Sequence, residues 1–500
     1  MSSRSHAAIN IWRARNIRTT GDRAFTMYTV LMVALVTVIP VGRAVWLSAA
    51  SPAGLALFAD VAAPSVTSFI VAALWAGALL LGRDRGPAVL PPFLTHALAM
   101  SDLPRFNTFR APLFLSGAIA AAVCTIAAGL IGMSLASNGL AEPGGVATFT
   151  TVGGLVGVTA TVAWLAGQVF PRAAVAGALG ILALGLVTVA VPGMQLYAPW
   201  GWVGLAYPTS GISHSLPALA TMAALAAALV ALVPVMMNRL GLAELTTQAA
   251  RWDSATTHAA GMEFSSAATI YQPKPHLGRR IRAVRPHTQL AWTFLVRDTI
   301  GATRAPGRLI VGILALTAAG VLLALAFAPT TPGWLLGAAA GVIAFAGLGP
   351  LTDGIRHAAS VAADFPLYGI SDERLLAHHA LFPLAVTVVV LLAVVIVCSI
   401  IIGTATGAAA VSSLALGLLA LVARISNALK GPLPTTLLTP ISTPAGDPMA
   451  AVRIAWALDA ILLAALGGGA AALAFEAPVL LLGVTATLIS IGIKRWRDRR

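Results

Sequence analysis

Two short stretches of the sequence pair residue types that can both start a helix and meet a charged partner. SDLPRFNTFRAPLF begins at Ser101, and SDERLLAHHALFPLAV begins at Ser371. Each opens on Ser-Asp (Ser101 and Asp102; Ser371 and Asp372) and then offers an arginine (Arg105; Arg374). Each also reaches a proline, Pro112 or Pro383, where an apolar run begins. Serine and aspartate accept hydrogen bonds from the free N–H groups of a helix start, worth about 1 kcal/mol per cap. Arginine presents a rigid fork of donors that matches carboxylates. The chemistry expected of these stretches is recognition of another surface, with no bond broken.

No other constellation reads as catalytic or as a metal site. His378 and His379 are adjacent, diverge on a helix, and make no ligand pair by themselves. Asp353 and His357, four apart, share a helix face and predict a local ion pair or hydrogen bond. Asp459 lies inside an apolar run beyond Arg453. An ionisable group there costs several kcal/mol and demands a reason; pairing with a neighbouring helix is expected, a transport role being the alternative. The pattern G-x-x-x-x-G-K-[S/T] is absent, so the chain has no P-loop to cradle nucleotide phosphates.

The elements that must position these residues follow from composition. Of 500 residues, 58% are hydrophobic and only 10% charged, and the mean hydropathy is +0.89. A soluble domain would carry roughly 25% charged residues; this chain is expected to be an all-α, polytopic membrane protein. At roughly 20 apolar residues per span, the apolar runs predict about twelve transmembrane helices. They lie near 25–47, 55–81, 112–136, 147–170, 173–191, 216–237, 309–327, 333–351, 381–402, 408–423, 451–474 and 478–493. The two cysteines, Cys124 and Cys398, fall inside apolar runs, which excludes a disulfide framework.

Charge orients the runs. The formal charge of +14 sits beside the apolar segments instead of in an aromatic-rich polar domain, which argues against nucleic acid. Threading the chain from a cytoplasmic N-terminus puts Arg83, Arg105, Arg172, Arg280, Arg374, Lys430 and the basic C-terminus inside. The outside segments, 48–54, 137–145, 192–215, 328–331 and 403–407, contain no lysine or arginine. Both termini are therefore expected in the cytoplasm. Segment 192–215 interleaves Tyr197, Trp200, Trp202 and Tyr207 with glycine and proline. It is expected to form short helices or a re-entrant turn at the headgroup level, as an aromatic belt or as a lid over an exit path.

An even division gives a parallel repeat, with Ser101 and Ser371 at equivalent places. The domain reading is a first half at 1–238, a basic linker with a connecting helix at 239–308, and a second half at 309–500. Before each half, 9–23 and 290–308 carry Trp12 or Trp292 with arginines, as expected for a helix lying in the interface.

In these features the chain resembles a permease of the ABC-2-type exporter class, in the fused form with two six-helix halves found in actinobacteria. The residues that carry the resemblance are SDLPRFNTFRAPLF, LYGISDERLLAHHALFPLAV and STPAGDP at 442–448. It implies that segments 91–110 and 364–379 are coupling helices, with Ser101, Asp102, Arg105, Ser371, Asp372 and Arg374 gripping two copies of a separate ATPase subunit. ATP and magnesium would be bound by those subunits, with no cofactor in this chain. It further implies that Tyr197, Trp200, Trp202 and Tyr207 belong to an outer gate, absent from the second half near 475–478. The substrate would be a hydrophobic or amphipathic compound exported across a bacterial cell membrane. The alternative is an ion-coupled secondary transporter of the major facilitator type, whose inner loop GRDRG at 82–86 faintly echoes; few intramembrane carboxylates oppose it.

Overall fold

The computed structural model describes residues 34–498, except 273–277, 279–281, 285–287, 329–330, 362–368, 432 and 440–448, together with scattered residues among 9–32. Among the described residues the secondary structure is helical and no strand occurs. Ten of these helices are long and apolar enough to cross a membrane, and an eleventh, Ala174–Ala190, is apolar but shorter. The protein is an all-helical, polytopic, membrane-type chain. It divides into two compact units, Met1–His258 and Ala259–Arg500.

In the first unit, a single π-helical turn at Ala34–Val38 leads into α1 (Ile39–Ala49). Pro40 has no N–H to continue the regular ladder at that junction. Of the predicted run 25–47, positions 34–47 fall in this π-helical turn and α1, and positions 25, 26, 29 and 33 lie outside the described residues. The next predicted run is broken into α2 (Pro52–Phe58) and α3 (Ala63–Asp84). Between them Asp60 Oδ1 accepts from Ala62 N at 2.7 Å, and Pro64 sits in the first turn of α3. A local carboxylate turn followed by proline stops one helix and starts another.

A short α4 (Pro92–Ala99) precedes the 33-residue α5 (Arg105–Ser137). Then come α6 (Pro143–Val169), α7 (Ala174–Ala190), α8 (Gly201–Leu205), α9 (Ile212–Asn238) and α10 (Leu242–Ala260). Helix α3 packs on α6 and α7, and α6 also packs on α5 and α9. The α3–α6 crossing is set by glycine. A Cβ on Gly82 would strike the Trp164 carbonyl, and one on Gly167 would strike the Leu79 carbonyl. In a bilayer, where burial of apolar surface does not drive helices together, such small residues let backbones approach.

The second unit holds α11 (Phe264–Ile270), α12 (Leu290–Thr303), α13 (Pro306–Ala326), α14 (Gly333–Leu348) and α15 (Asp353–Val361). After these come α16 (Asp372–Ile402, 31 residues), α17 (Thr406–Ala428), α18 (Thr435–Leu438), α19 (Met449–Ala472) and α20 (Pro478–Arg497). Helix α14 packs on α17 and α19, and α16 packs on α17. Those pairings match α3 with α6 and α7, and α5 with α6. Gly337, Gly341 and Gly468 form the α14–α19 crossing, where a Cβ on Gly468 would meet Gly337 O and lie 2.7 Å from Gly341 Cα.

At about 1.5 Å per residue, the two long helices reach roughly 45–50 Å, well beyond a hydrocarbon core of about 30 Å. The apolar runs start at Pro112 and near Leu381, so the surplus is the N-terminal turns that carry Arg105 and Arg374.

Candidate functional site

Both units build the same sequence of parts beside their basic segments: an apolar helix, a short helix, then a long helix whose first turns leave the apolar run. In the first unit Ser101 and Asp102 lie in the bend between α4 and α5, and Arg105 is the first residue of α5. The predicted cap by Ser101 or Asp102 does not form. Pro104 occupies the cap position, Ser101 Oγ donates instead to Leu98 O at 2.7 Å, and Asn238 Oδ1 accepts from Phe106 N at 3.2 Å. A residue at the far end of α9 thus holds the start of α5.

In the second unit Ser371 is the cap residue of α16, with no side-chain cap bond, and Asp372 and Glu373 occupy the first turn. Their charge there complements the helix dipole. Arg374 is exposed. The Ser-Asp pair therefore marks the start of the long helix in this unit but only precedes it in the first. Part of the predicted segment 364–379, and all of STPAGDP, lie outside the described residues.

The chain immediately before each half meets these corners. In the first unit Ile9 and Trp12 pack against a buried cluster that includes Leu94, Leu98 and Phe109. In the second, α12 is fastened to α16 by a polar pair. His379 is buried, its Nδ1 lies 2.6 Å from Asp298 Oδ2, and its Nε2 lies 3.2 Å from Arg297 Nη1. Guanidinium nitrogens only donate, so Nε2 accepts and Nδ1–H donates to Asp298. Gly354 on α15 makes room, since a Cβ there would collide with both His379 and Asp298. The His357 ring stands 6.4 Å from that of His379. Burial holds His357 below the ordinary imidazole range, the charge of Arg297 pushes the same way, and Asp298 opposes them. Asp353 does not pair with His357 as the spacing predicted; it binds Arg308 at 2.9 Å and Arg356. Arg308 and Arg356 take the carboxylate because a guanidinium offers it several N–H donors in a fixed fork, which a half-buried imidazole does not.

The GRDRG loop is locked rather than open. Gln248 of α10 accepts from Gly86 N at 3.0 Å and from Gln168 Nε2 at 2.9 Å, and its own amide donates to Gly82 O at 3.3 Å. Trp164 Nε1 donates to Arg85 O at 2.5 Å, and the Arg85 guanidinium lies 3.2 Å from the centre of the Trp252 ring. Buried amides in a satisfied network of this kind fix α10 onto the ends of α3 and α6.

Asp459 is paired. Its Oδ1 accepts from Lys430 Nζ at 2.8 Å and its Oδ2 from Arg495, so it ties α19 to α20 and to the chain after α17. Arg453 takes no part in this group and donates to Leu437 O at 2.9 Å. Lys430 also donates to Trp456 O and lies over the Trp456 ring. Burial pushes the Lys430 amine below its usual range, against the hydrogen bond and charge of Asp459.

Segment 192–215 folds as a 3₁₀ turn, Pro192–Leu196, followed by α8. Its aromatics divide. Tyr197 is 80% exposed, whereas Trp200 and Tyr207 are buried. Trp200 Nε1 donates to Thr188 Oγ1 at 3.2 Å and its ring meets that of Trp75 edge-on at 6.4 Å. Tyr207 OH donates to Phe58 O at 2.8 Å, and burial pushes its phenol up. Trp202 Nε1 donates to Leu196 O at 2.8 Å. Two of the four, Trp200 and Tyr207, thus close the segment onto the rest of the first unit, and Trp202 bonds within the segment. Gly204 permits this, because a Cβ there would come 2.6 Å from Pro64 O.

No protein-family model, curated protein or solved structure matches this chain. The functional reading therefore rests on the geometry. Sequence reasoning missed the residues that do most of the fastening: Asn238, Gln168, Gln248 and Asp298. A glutamine inside an apolar run was the available signal for Gln168, since a buried amide requires partners.

Proposed function

We propose that the chain is the transmembrane permease subunit of an ATP-binding-cassette exporter of the ABC-2 type. It is fused from two six-helix halves and sits in a bacterial cell membrane with both termini in the cytoplasm. Two copies of a separate ATPase subunit bind ATP and magnesium and drive export of a hydrophobic or amphipathic compound. The observation that carries this reading is the repeated corner: in each unit a short helix, α4 or α15, leads to a long helix that projects past its apolar run with an arginine in its first turn. A helix of that length moves as a lever, since a push on its projecting end displaces the spanning part without unfolding. The Asp298–His379 bond makes the preceding interfacial helix α12 part of the same lever in the second unit.

ATP binding would draw the ATPases together and shift both levers, so that the nucleotide selects one of two arrangements of the permease. The aromatic segment 192–215, closed on its own unit by Trp200 and Tyr207, is the gate residue set of that reading. The locked GRDRG loop and the ion-paired Asp459 weigh against an ion-coupled secondary transporter. Such a transporter needs a carboxylate free to change its proton or ion, and here Asp459 is shared by Lys430 and Arg495.

Charge reversal at both levers tests the reading. The double variant Arg105→Glu, Arg374→Glu is expected to insert at wild-type levels yet to lose co-purification of the ATPase. Normal assembly of that variant would remove the arginines from any coupling role.

A further inference from the structure

A cavity of about 780 Å³ opens in the second unit among the ends of α13, α14, α17 and α19, beside α11 and α15. Four basic side chains line it, Arg308, Arg356, Arg424 and Lys430, and one acidic one, Glu263. Nearby carboxylates do not balance them. Asp353 is shared by Arg308 and Arg356, and Asp459 is shared by Lys430 and Arg495. Among the described residues, five cations thus meet three carboxylates, Glu263 included.

Among the described residues of this wall, Arg424 is the one without an anion. Its Nε–H donates to Phe345 O at 2.5 Å and its Nη2 to Ala346 O at 3.4 Å, and its guanidinium lies 3.8 Å from the centre of the Phe345 ring. Among the described residues no carboxylate pairs with it. The two carbonyls use two of its five N–H donors. Gly349 keeps space beside it, because a Cβ there would stand 3.1 Å from Nη2. A guanidinium held in one orientation, facing a roomy cavity and lacking a counter-ion, is the arrangement that oxyanions occupy, since two parallel N–H bonds match two oxygens. The rest of the wall mixes the polar Ser266, Gln272 and Asn427 with apolar surface from Phe345, Trp456 and Ile461. Carbon attached to the oxyanion therefore finds matching surface.

We propose that this cavity binds a phosphate-bearing group, carried by an anionic phospholipid or by a free phosphate compound. Arg424 and Arg356 are its principal ligands, and Arg308 and Lys430 supply supporting charge. The site is independent of how transport is powered.

The test uses the purified full-length chain in an uncharged detergent, with thermal unfolding as the readout. Three probes are titrated: short-chain phosphatidylglycerol, inorganic phosphate, and a neutral diacylglycerol as control. A ligand that binds the folded form raises the unfolding temperature with its concentration. Stabilisation by phosphatidylglycerol alone assigns the site to a lipid; stabilisation by inorganic phosphate as well assigns it to the free anion. Arg356→Gln with Arg424→Gln is expected to weaken the effective probe at least tenfold. Ala457→Phe, which keeps every charge and fills the cavity, is expected to do the same. Lys494→Gln with Arg497→Gln, basic residues outside the cavity, is expected to bind as wild type. Should Arg424→Gln not fold, Arg356→Gln and Ala457→Phe still decide. Stabilisation by neither phosphate probe, equal stabilisation by diacylglycerol, or wild-type affinity in the filled and arginine variants would each overturn the proposal.

Discussion

Replacing Asp459 by asparagine leaves two cations facing each other where a carboxylate joined them. The side chains of Lys430, Arg495 and Asp459 are 8%, 15% and 22% exposed. Removing one partner of a fully buried pair costs about 3–5 kcal/mol, because the other charge stays desolvated. Some water reaches Asp459, so the expected loss is at the lower edge, about 2–3 kcal/mol. For a unit of this size, each kcal/mol moves the unfolding temperature by roughly 2–4 °C. Asp459→Asn should therefore unfold roughly 4–12 °C lower in detergent. Adding Lys430→Met removes one of the stranded cations and should restore part of the loss, a coupling that a double-mutant cycle reads directly. Wild-type stability in Asp459→Asn, or strictly additive effects of the two substitutions, would refute the ion-pair account and return Asp459 to the list of transport residues.

Further outcomes follow from other contacts. Gly468→Val places carbons against the backbone of Gly337 and Gly341, so folded protein should be nearly absent, whereas Gly483→Val, in open space on α20, should express normally; equal yields would contradict the α14–α19 crossing. His357 has a lowered pKa, set by burial and Arg297 against Asp298, relative to its ordinary 6.5. The unfolded chain then takes up the proton first as the pH falls, so stability should decline on acidification from 6.5 down through the folded value. His357→Gln should flatten part of that decline, and an unchanged pH profile would count against it. Cysteine probes should label Asn138→Cys from outside intact cells and leave Arg251→Cys protected; the reverse pattern would invert the topology.

Legibility in the sequence differed by kind of feature. Apolar runs identified the helices because each must satisfy its backbone internally in a bilayer, and proline at 64, 143, 306 and 478 coincides with helix starts. The Asp60 turn that splits the run 55–81 was less legible, because one carboxylate in an apolar stretch does not announce the backbone N–H it will accept from. Pairings between distant residues were not legible at all. Asp459 was expected to find a partner, but nothing in the order of residues singles out Lys430 and Arg495. Gln168 and Gln248 meet across 80 positions, and Asp298 and His379 across 81. Trp200 and Tyr207 were expected in an aromatic belt or a lid because composition reports affinity for an interface, whereas the acceptors Thr188 and Phe58 O that draw them inward are set by the fold.

The central claim is that this chain works with an ATPase it does not itself contain. The most direct measurement is to purify the tagged chain from its own host membrane in mild detergent, identify what accompanies it by mass spectrometry, and assay the preparation for ATP hydrolysis. The account predicts a co-purifying P-loop subunit at two copies per chain, with hydrolysis that is lost when Arg105 and Arg374 are both reversed to glutamate. A pure, monodisperse chain that carries no P-loop protein, from cells in which it is active, would contradict it.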